Sequence, residues 1–371
     1  MNHLNGKSKK LDSVHVSDFR LLGDCTEFYQ RIKFLLQTSE SVYMASLFFG
    51  QDGEMEDILD ILEEKKRRGL ITVIFIDKNR GAAGRRLEFI QERGLESTFH
   101  LIDLSTSCLF PAKLNELFRV FHTKALVFDD ITILSGANMD ASYMVNRIDR
   151  YLEIQSKELT DMIKTKVFGV ELSPDVESTP IQNLPIYVRM FKQQEEQSIV
   201  RSFLRSFGEI HISTGYLNFP DNYLKMFKGR RISLYASCPD RNRFNSFGIM
   251  DRFVGPIYSY SFHRTLECIP TLSIYELNKK GYSFHLKGFW GFKDKTAATI
   301  IGSSNFNRRS TERDDETNYL IVTSDPGHIQ KLREEVEYLR ANSNPRSLKQ
   351  LRKRTYRLIV IILFLIFNRF F

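Results

Sequence analysis

The chain has 371 residues, 42% hydrophobic and 26% charged, which permits a packed core and argues against global disorder. A net charge of +8 and a pI near 9.1 point to anionic partners, whether nucleic acid, phospholipid headgroups or phosphorylated metabolites. Cys25, Cys108, Cys238 and Cys268 lack C-x-x-C spacing, which argues against a zinc site and a disulfide framework and favours a reducing compartment.

In chain order, Met1 to Arg20 has no apolar h-region, and Asp12 and Asp18 dilute Lys7, Lys9 and Lys10, so it reads poorly as a secretory signal or a mitochondrial presequence. Val42 to Phe49 is apolar. Asp52 to Gly69 places Met55, Ile58, Leu59 and Leu62 on one helical face, with Gly69 as a C-cap. Ile71 to Asp77 reads as a strand, giving a βαβ pattern. Leu172 to Pro185, with Pro174, Pro180 and Pro185, reads as a linker. Beyond it the plan returns: a helix over Ser198–Phe207, then strands over Ile210–Leu217 and Arg231–Ser237.

Each half ends in the same words. Phe121-His122-Thr123-Lys124 is followed by an apolar strand, Ile131 to Leu134, and by Ser135-Gly136-Ala137-Asn138. Phe284-His285-Leu286-Lys287 is followed by Ala297 to Ile301 and by Gly302-Ser303-Ser304-Asn305. Glu153 and Glu316 each lie 31 positions after their histidine (153 − 122 and 316 − 285). Agreement at this depth marks an internal repeat, and the other six histidines, which lack the context, read as structural.

Residues i and i+2 of a strand face one side, so His122 points with Lys124 and His285 with Lys287. A pseudo-two-fold between the halves brings both pairs, with Asn138 and Asn305, into one cleft suited to a phosphodiester. Lysines, asparagines and Ser303 there bind the non-bridging oxygens and stabilise the pentacoordinate transition state. One imidazole attacks phosphorus. The other protonates the leaving oxygen and then deprotonates the acceptor, with Glu153 and Glu316 as ring-orienting groups. This chemistry needs no metal and no cofactor. Arg147, Arg150, Arg308, Arg309 and Arg313 follow the two asparagines and are the candidates to bind an acceptor's phosphate if the acceptor carries one.

These residues resemble the H-x-K-x4-D and G-S-x-N motifs of the phospholipase D superfamily. The first copy is complete, with His122, Lys124 and Asp129; the second has Phe292 at the aspartate position and Asp294 two residues on. That asymmetry, with the blocks Arg119–Tyr151 and Gly281–Glu316, resembles the eukaryotic-type CDP-diacylglycerol–glycerol-3-phosphate 3-phosphatidyltransferases. Weaker echoes are Ala45-Ser46-Leu47, the Asp77 to Gly81 turn and Thr214 to Asn218.

The resemblance implies an α/β fold of two phospholipase D-like α-β-α sandwich halves with the site at their interface. It implies catalytic His122, Lys124, Asp129, His285 and Lys287. The donor is then CDP-diacylglycerol, the acceptor sn-glycerol 3-phosphate, and the place a mitochondrial inner membrane or a mitochondrion-derived organelle. His122 is expected as nucleophile because its motif keeps the aspartate. Nucleic acid is not expected as a partner, although a nuclease, a phospholipase D-type hydrolase or a phosphatidylserine synthase would use the same residues.

The expected divisions are an N-terminal segment 1–19, a first half 20–172, a linker 173–185, a second half 186–340 and a tail 341–371. The tail carries Lys349, Arg352, Lys353, Arg354 and Arg357 before the apolar run Leu358 to Phe367. Ten helical residues span about 15 Å, half a bilayer's hydrocarbon, so this run reads as a monotopic anchor to an anionic membrane surface. The competing reading is a helix docked on the protein's own core.

Overall fold

The computed structural model describes residues 12–81, 86–105, 115, 118–171, 184–237, 251–346 and 358–367; the linker positions 172–183 and two of the cysteines, Cys108 and Cys238, lie outside them.

The first half contributes β2 (Arg20–Leu21), β3 (Ser41–Ser46), β4 (Ile71–Asp77), β5 (Phe99–Ile102), β6 (Ala125–Phe128), β7 (Ile131–Ser135), β8 (Arg147–Ile148) and β9 (Tyr151–Gln155), after an opening β1 (Ser13–Val16). Its helices are α1 (Cys25–Thr38), α2 (Glu54–Arg67), α3 (Lys78–Gly81), α4 (Arg86–Glu92), α5 (Ala141–Val145) and α6 (Lys157–Phe168). The second half contributes β10 (Ile186–Lys192), β11 (Glu209–Thr214), β12 (Ile232–Ser237), β13 (Leu272–Leu277), β14 (Ser283–Phe284), β15 (Gly288–Lys293), β16 (Thr296–Gly302), β17 (Thr317–Thr323) and β18 (Ser343–Arg346). Its helices are α7 (Gln193–Ser206), α8 (Asp221–Phe227), α9 (Asp251–Cys268), α10 (Arg308–Glu312), α11 (Pro326–Ala341) and α12 (Leu358–Phe367).

One seven-stranded sheet runs β2-β9-β7-β6-β3-β4-β5. The second sheet repeats that order as β10-β17-β16-β15-β11-β12-β13 and adds β1 at one edge and β18 at the other. In each, three strands are parallel (β3, β4, β5 and β11, β12, β13) and the rest antiparallel. The sequence expectation set residues 1–19 apart, but Ser13–Val16 pair with Ile186–Arg189 of the second half. Likewise Ser343–Arg346, expected in the tail, pair with β13.

Period-two alternation explains the layers. Ile186, Val188 and Met190 of β10 face a core shared by both halves, which α6 and α11 join through Leu159, Ile163, Leu332 and Leu339. On the outer faces α1 and α2 bury Phe28, Ile32, Ile58 and Leu62 against the first sheet, and α7 and α8 bury Phe203, Leu204 and Tyr223 against the second. Each half is therefore an α-β-α sandwich. The helix expected over 52–69 forms over Glu54–Arg67, flanked by Gly53 and Gly69 at φ 60° and 70°. The helix expected from Ser198 begins five residues earlier, where Glu195 and Glu196 occupy the first turn and favour its positive end.

Candidate functional site

Neither histidine sits inside a sheet strand; each lies in an extended segment that leads into β6 or β15 and crosses to the other half. Ser283 and Phe284 pair in parallel with Arg147 and Ile148, and Phe121 bridges Asp315. The backbone N–H of His285 donates to Ile148 O at 2.9 Å, and that of His122 to Asp315 O at 3.0 Å. Asp77 pins the first segment, accepting from Phe121 N at 2.8 Å. At the seam there is no room for a side chain: a Cβ on Gly136 would meet Gly302 O and the Lys287 side chain at 3.0 Å.

Each imidazole is held by a carboxylate of the opposite half. His122 Nδ1 stands 2.9 Å from both carboxylate oxygens of Glu316, and His285 Nδ1 stands 2.8 Å from Asp149 Oδ2. Asp149 was not anticipated. Glu153, expected in that role, lies on β9 and accepts from Arg31 Nε and Nη2 at 2.6 and 3.0 Å. Counting from the asparagines instead of the histidines finds the matched pair, since Asp149 and Glu316 each lie 11 residues on (149 − 138 and 316 − 305). The longer β15–β16 hairpin had shifted the count from the histidine.

Burial dominates the electrostatics. It lowers His122 despite the facing Glu316. It lowers His285 further, with Lys287 and Arg147 adding to the effect. Both rings are thus neutral at pH 7; the carboxylate on Nδ1–H leaves the lone pair of His122 on Nε2, while at His285 the Lys287 Nζ also stands 2.6 Å from Nδ1 and 3.2 Å from Nε2. Burial opposes ionisation of Glu316, yet His122 and Lys124 hold it at about 2. Asp149 is raised by burial, against the pull of Lys287. Burial brings Lys124 to about 7 and Lys287 to about 8; their Nζ atoms donate to His122 O at 2.7 Å and His285 O at 2.8 Å.

The Nε2 environments differ. Tyr143 Oη lies 3.1 Å from His285 Nε2 and accepts from Asn138 Nδ2 at 3.1 Å. His122 Nε2 has no hydrogen-bond partner among the described residues. Asn138 is further engaged by Leu47 N at 3.3 Å, whereas Asn305 is buried with its Oδ1 unpaired among the described residues. Ser303 Oγ accepts from Thr317 N at 2.9 Å and donates to Thr317 O at 3.2 Å, beside the Glu316 carboxylate whose ionised form it favours.

Besides Glu153, three expected site residues are elsewhere. Asp129 sits in the β6–β7 turn at φ 50°, its carboxylate accepting from Ser41 N at 2.7 Å and from Glu40 N. Asp294 stands in the matching β15–β16 turn at φ 49°. The motif aspartate is thus a turn residue, for which this left-handed conformation is tolerable. Arg150 is buried, paired through two 2.6 Å bonds to Glu335 and stacked on Trp290 at 4.3 Å. Arg308 reaches Asp221 at 3.2 Å. Arg147 does border the cleft, over the Tyr143 ring at 4.4 Å, and Arg309 pairs with Asp314 at 2.9 Å. Arg119 and Arg313, three residues before His122 and Glu316, line one open cavity of about 400 Å³.

Residues 32–167 match the family described as "Cardiolipin synthase, PLD-like domain". The mitochondrial CDP-diacylglycerol–glycerol-3-phosphate 3-phosphatidyltransferase of Gallus gallus is 24% identical, over 89% of this chain and 78% of the relative. That of Mus musculus is 24% identical, over 88% and 78%. The crystal structure of phosphatidylserine synthase from Haemophilus influenzae superposes with a TM-score of 0.78 at 19% identity, covering 96% of this chain and 95% of that one, a likeness of fold. The chain is a homologue of the CDP-diacylglycerol–glycerol-3-phosphate 3-phosphatidyltransferases built on the phospholipase D-like fold.

Proposed function

We propose that the protein transfers the phosphatidyl group of CDP-diacylglycerol to the primary hydroxyl of sn-glycerol 3-phosphate, with His122 as the nucleophile. The observation that carries this reading is the crossed pair of imidazoles, each fixed by the other half's carboxylate over two lysines.

His122 Nε2 attacks the phosphorus that bears the diacylglycerol, forming an N–P bond as the pyrophosphate P–O bond breaks and CMP departs with the electron pair. CMP is a phosphate monoester and leaves without strong acid assistance, so a neutral His285 is no handicap in this step. In the second step the acceptor hydroxyl attacks phosphorus, its proton passes to His285 Nε2, and the N–P electrons return to His122. Lys124 and Lys287, with the Asn305 Nδ2–H as donor, offset the charge of the pentacoordinate state. This assignment of His122 rests on its unobstructed Nε2 and the low-lying Glu316 behind it, since Asp129 belongs to a turn. The cavity of Arg119 and Arg313 suits the acceptor's phosphate, with Arg147 and Arg309 as further cations near the cleft.

The membrane-resident donor implies an anionic membrane surface as partner, and the names of the relatives favour a mitochondrion, or an organelle derived from one, with the inner membrane as the site of action. The test is CMP release from detergent-dispersed CDP-diacylglycerol with water, glycerol 3-phosphate or serine as acceptor. Multiple-turnover release that requires glycerol 3-phosphate and disappears in His122→Ala and His285→Ala is expected. Release in water alone makes the protein a hydrolase, and release only with serine makes it a phosphatidylserine synthase.

A further inference from the structure

α12 is apolar on every side, yet among the described residues only one of its faces is covered. Val360 and Phe364, one turn apart, pack on Ile257 of α9 with Tyr260 and Leu363 beside them. The Phe364 ring meets Tyr260 edge-on at 5.1 Å and Arg264 at 5.6 Å. Leu358, Ile359, Ile362 and Leu365 turn the other way and are exposed by 71, 44, 41 and 64%. Docking on the protein thus accounts for one face of this segment, and the other presents an aliphatic stripe that water disfavours and hydrocarbon favours.

Two further features say what covers the stripe. Residues 349–357, which lead into α12, supply Lys349, Arg352, Lys353, Arg354 and Arg357, a charge that complements anionic headgroups. Among the described residues no helix is long and apolar enough to cross a membrane, and the ten residues of α12 match a helix lying in the interface. Tyr258, adjacent to Ile257, is buried on another side of α9. Its ring centroid is 5.8 Å from that of Tyr216, which lies 5.9 Å edge-on from His285. A single helix thus links the stripe to the catalytic cleft.

We propose that α12, seated on α9, is a monotopic docking face for an anionic phospholipid bilayer that sets the His285 end of the cleft at headgroup level, within reach of a lipid donor. The delivery role rests on the phosphatidyl-transfer reading; the docking does not.

The test uses the full chain and an Ile359→Ser/Ile362→Ser/Leu365→Ser variant, which spares the Val360 and Phe364 seat. Wild type is expected to sediment with phosphatidylcholine vesicles containing phosphatidylglycerol, and the variant to bind them at least about tenfold more weakly. CMP release from vesicle-embedded donor should fall in parallel, while release from a short-chain, water-dispersed donor stays within about twofold. Equal vesicle binding by both proteins overturns the proposal. So does a wild-type dimer that the variant splits with vesicle binding unchanged, which would make the stripe a self-interface. If wild type leaves the short-chain donor untouched, the transfer reading and the delivery role fail, and sedimentation alone decides the docking.

Discussion

The two halves share a strand order and differ beneath the cleft. In the first, Phe28 of α1 stacks on Tyr151 at 3.9 Å. The matching positions of the second are Glu196 and Asn318, joined at 3.2 Å, with Tyr223 Oη on the same carboxylate at 2.7 Å. Asn318 Oδ1 in turn accepts from Ser304 N, so the second half holds its Gly-Ser-Ser-Asn loop by a buried polar network where the first uses ring packing. The histidine side chains diverge too. Five residues after its asparagine the first half has Tyr143, which lies on His285 Nε2; the second has Ser310, whose Oγ accepts from Asn305 N at 3.2 Å. A duplicated scaffold has kept its geometry while its two imidazoles acquired unequal surroundings, and unequal surroundings are what a nucleophile and a base require.

The largest effect should come from separating those roles. His122→Ala is expected to lose turnover by roughly 10⁴-fold or more and to release no CMP. His285→Ala should lose turnover comparably yet release one equivalent of CMP, leaving an acid-labile phosphatidyl group on His122. Rapid quench with radiolabelled donor measures this, and a label on His285 in the His122→Ala variant would exchange the assignments.

Next come the carboxylates. Asp149→Asn and Glu316→Gln should each lower kcat by about 10²- to 10⁴-fold, whereas Glu153→Gln leaves kcat within about threefold. A loss at Glu153 matching that at Asp149 would break the crossed pairing.

The lysines give a pH signature. Buried ammonium groups at about 7 and about 8 lose charge as pH rises, so kcat/KM in the free enzyme should fall on the alkaline side across that window. Lys124→Arg, which keeps its charge, should move the limb upward at the cost of some activity.

Tyr143→Phe is a smaller perturbation, about tenfold in kcat. Because the hydroxyl bonds the neutral form of His285, its removal lets the ring's pKa rise, and the acid limb of the profile should move to higher pH.

The subtlest difference is thermodynamic. Burial raises Glu196 to about 7 from 4.5, so the folded chain holds that proton more tightly than the unfolded one. The resulting stability is full below pH 4.5 and lost as pH climbs to about 7, a change of about 3 kcal/mol at most. Denaturant titrations of wild type and Glu196→Gln across this range should show that slope only in wild type.

The sequence was most informative where function depends on local pattern. His122, Lys124 and Asn138, and His285, Lys287 and Asn305, repeat because both halves must make the same strand, turn and loop. It misled where partners come from the other half. Asp149 is 136 residues from the ring it holds and Glu316 is 194 from its own, and no periodicity reports a contact across a seam. Asp129 fell into the catalytic set for the opposite reason: its demand is purely local, a carboxylate in a left-handed turn, and motif spacing does not distinguish a turn residue from a reacting one. Arg150 looked like a free cation until the distant Glu335 and Trp290 came to meet it.

The exchange of carboxylates between halves has a bearing on biogenesis. A nascent chain with only its first half folded has His122 without Glu316, and an isolated second half has His285 without Asp149. Neither fragment holds a complete imidazole–carboxylate couple, so on the transfer reading proposed above the site is complete only when both halves are docked.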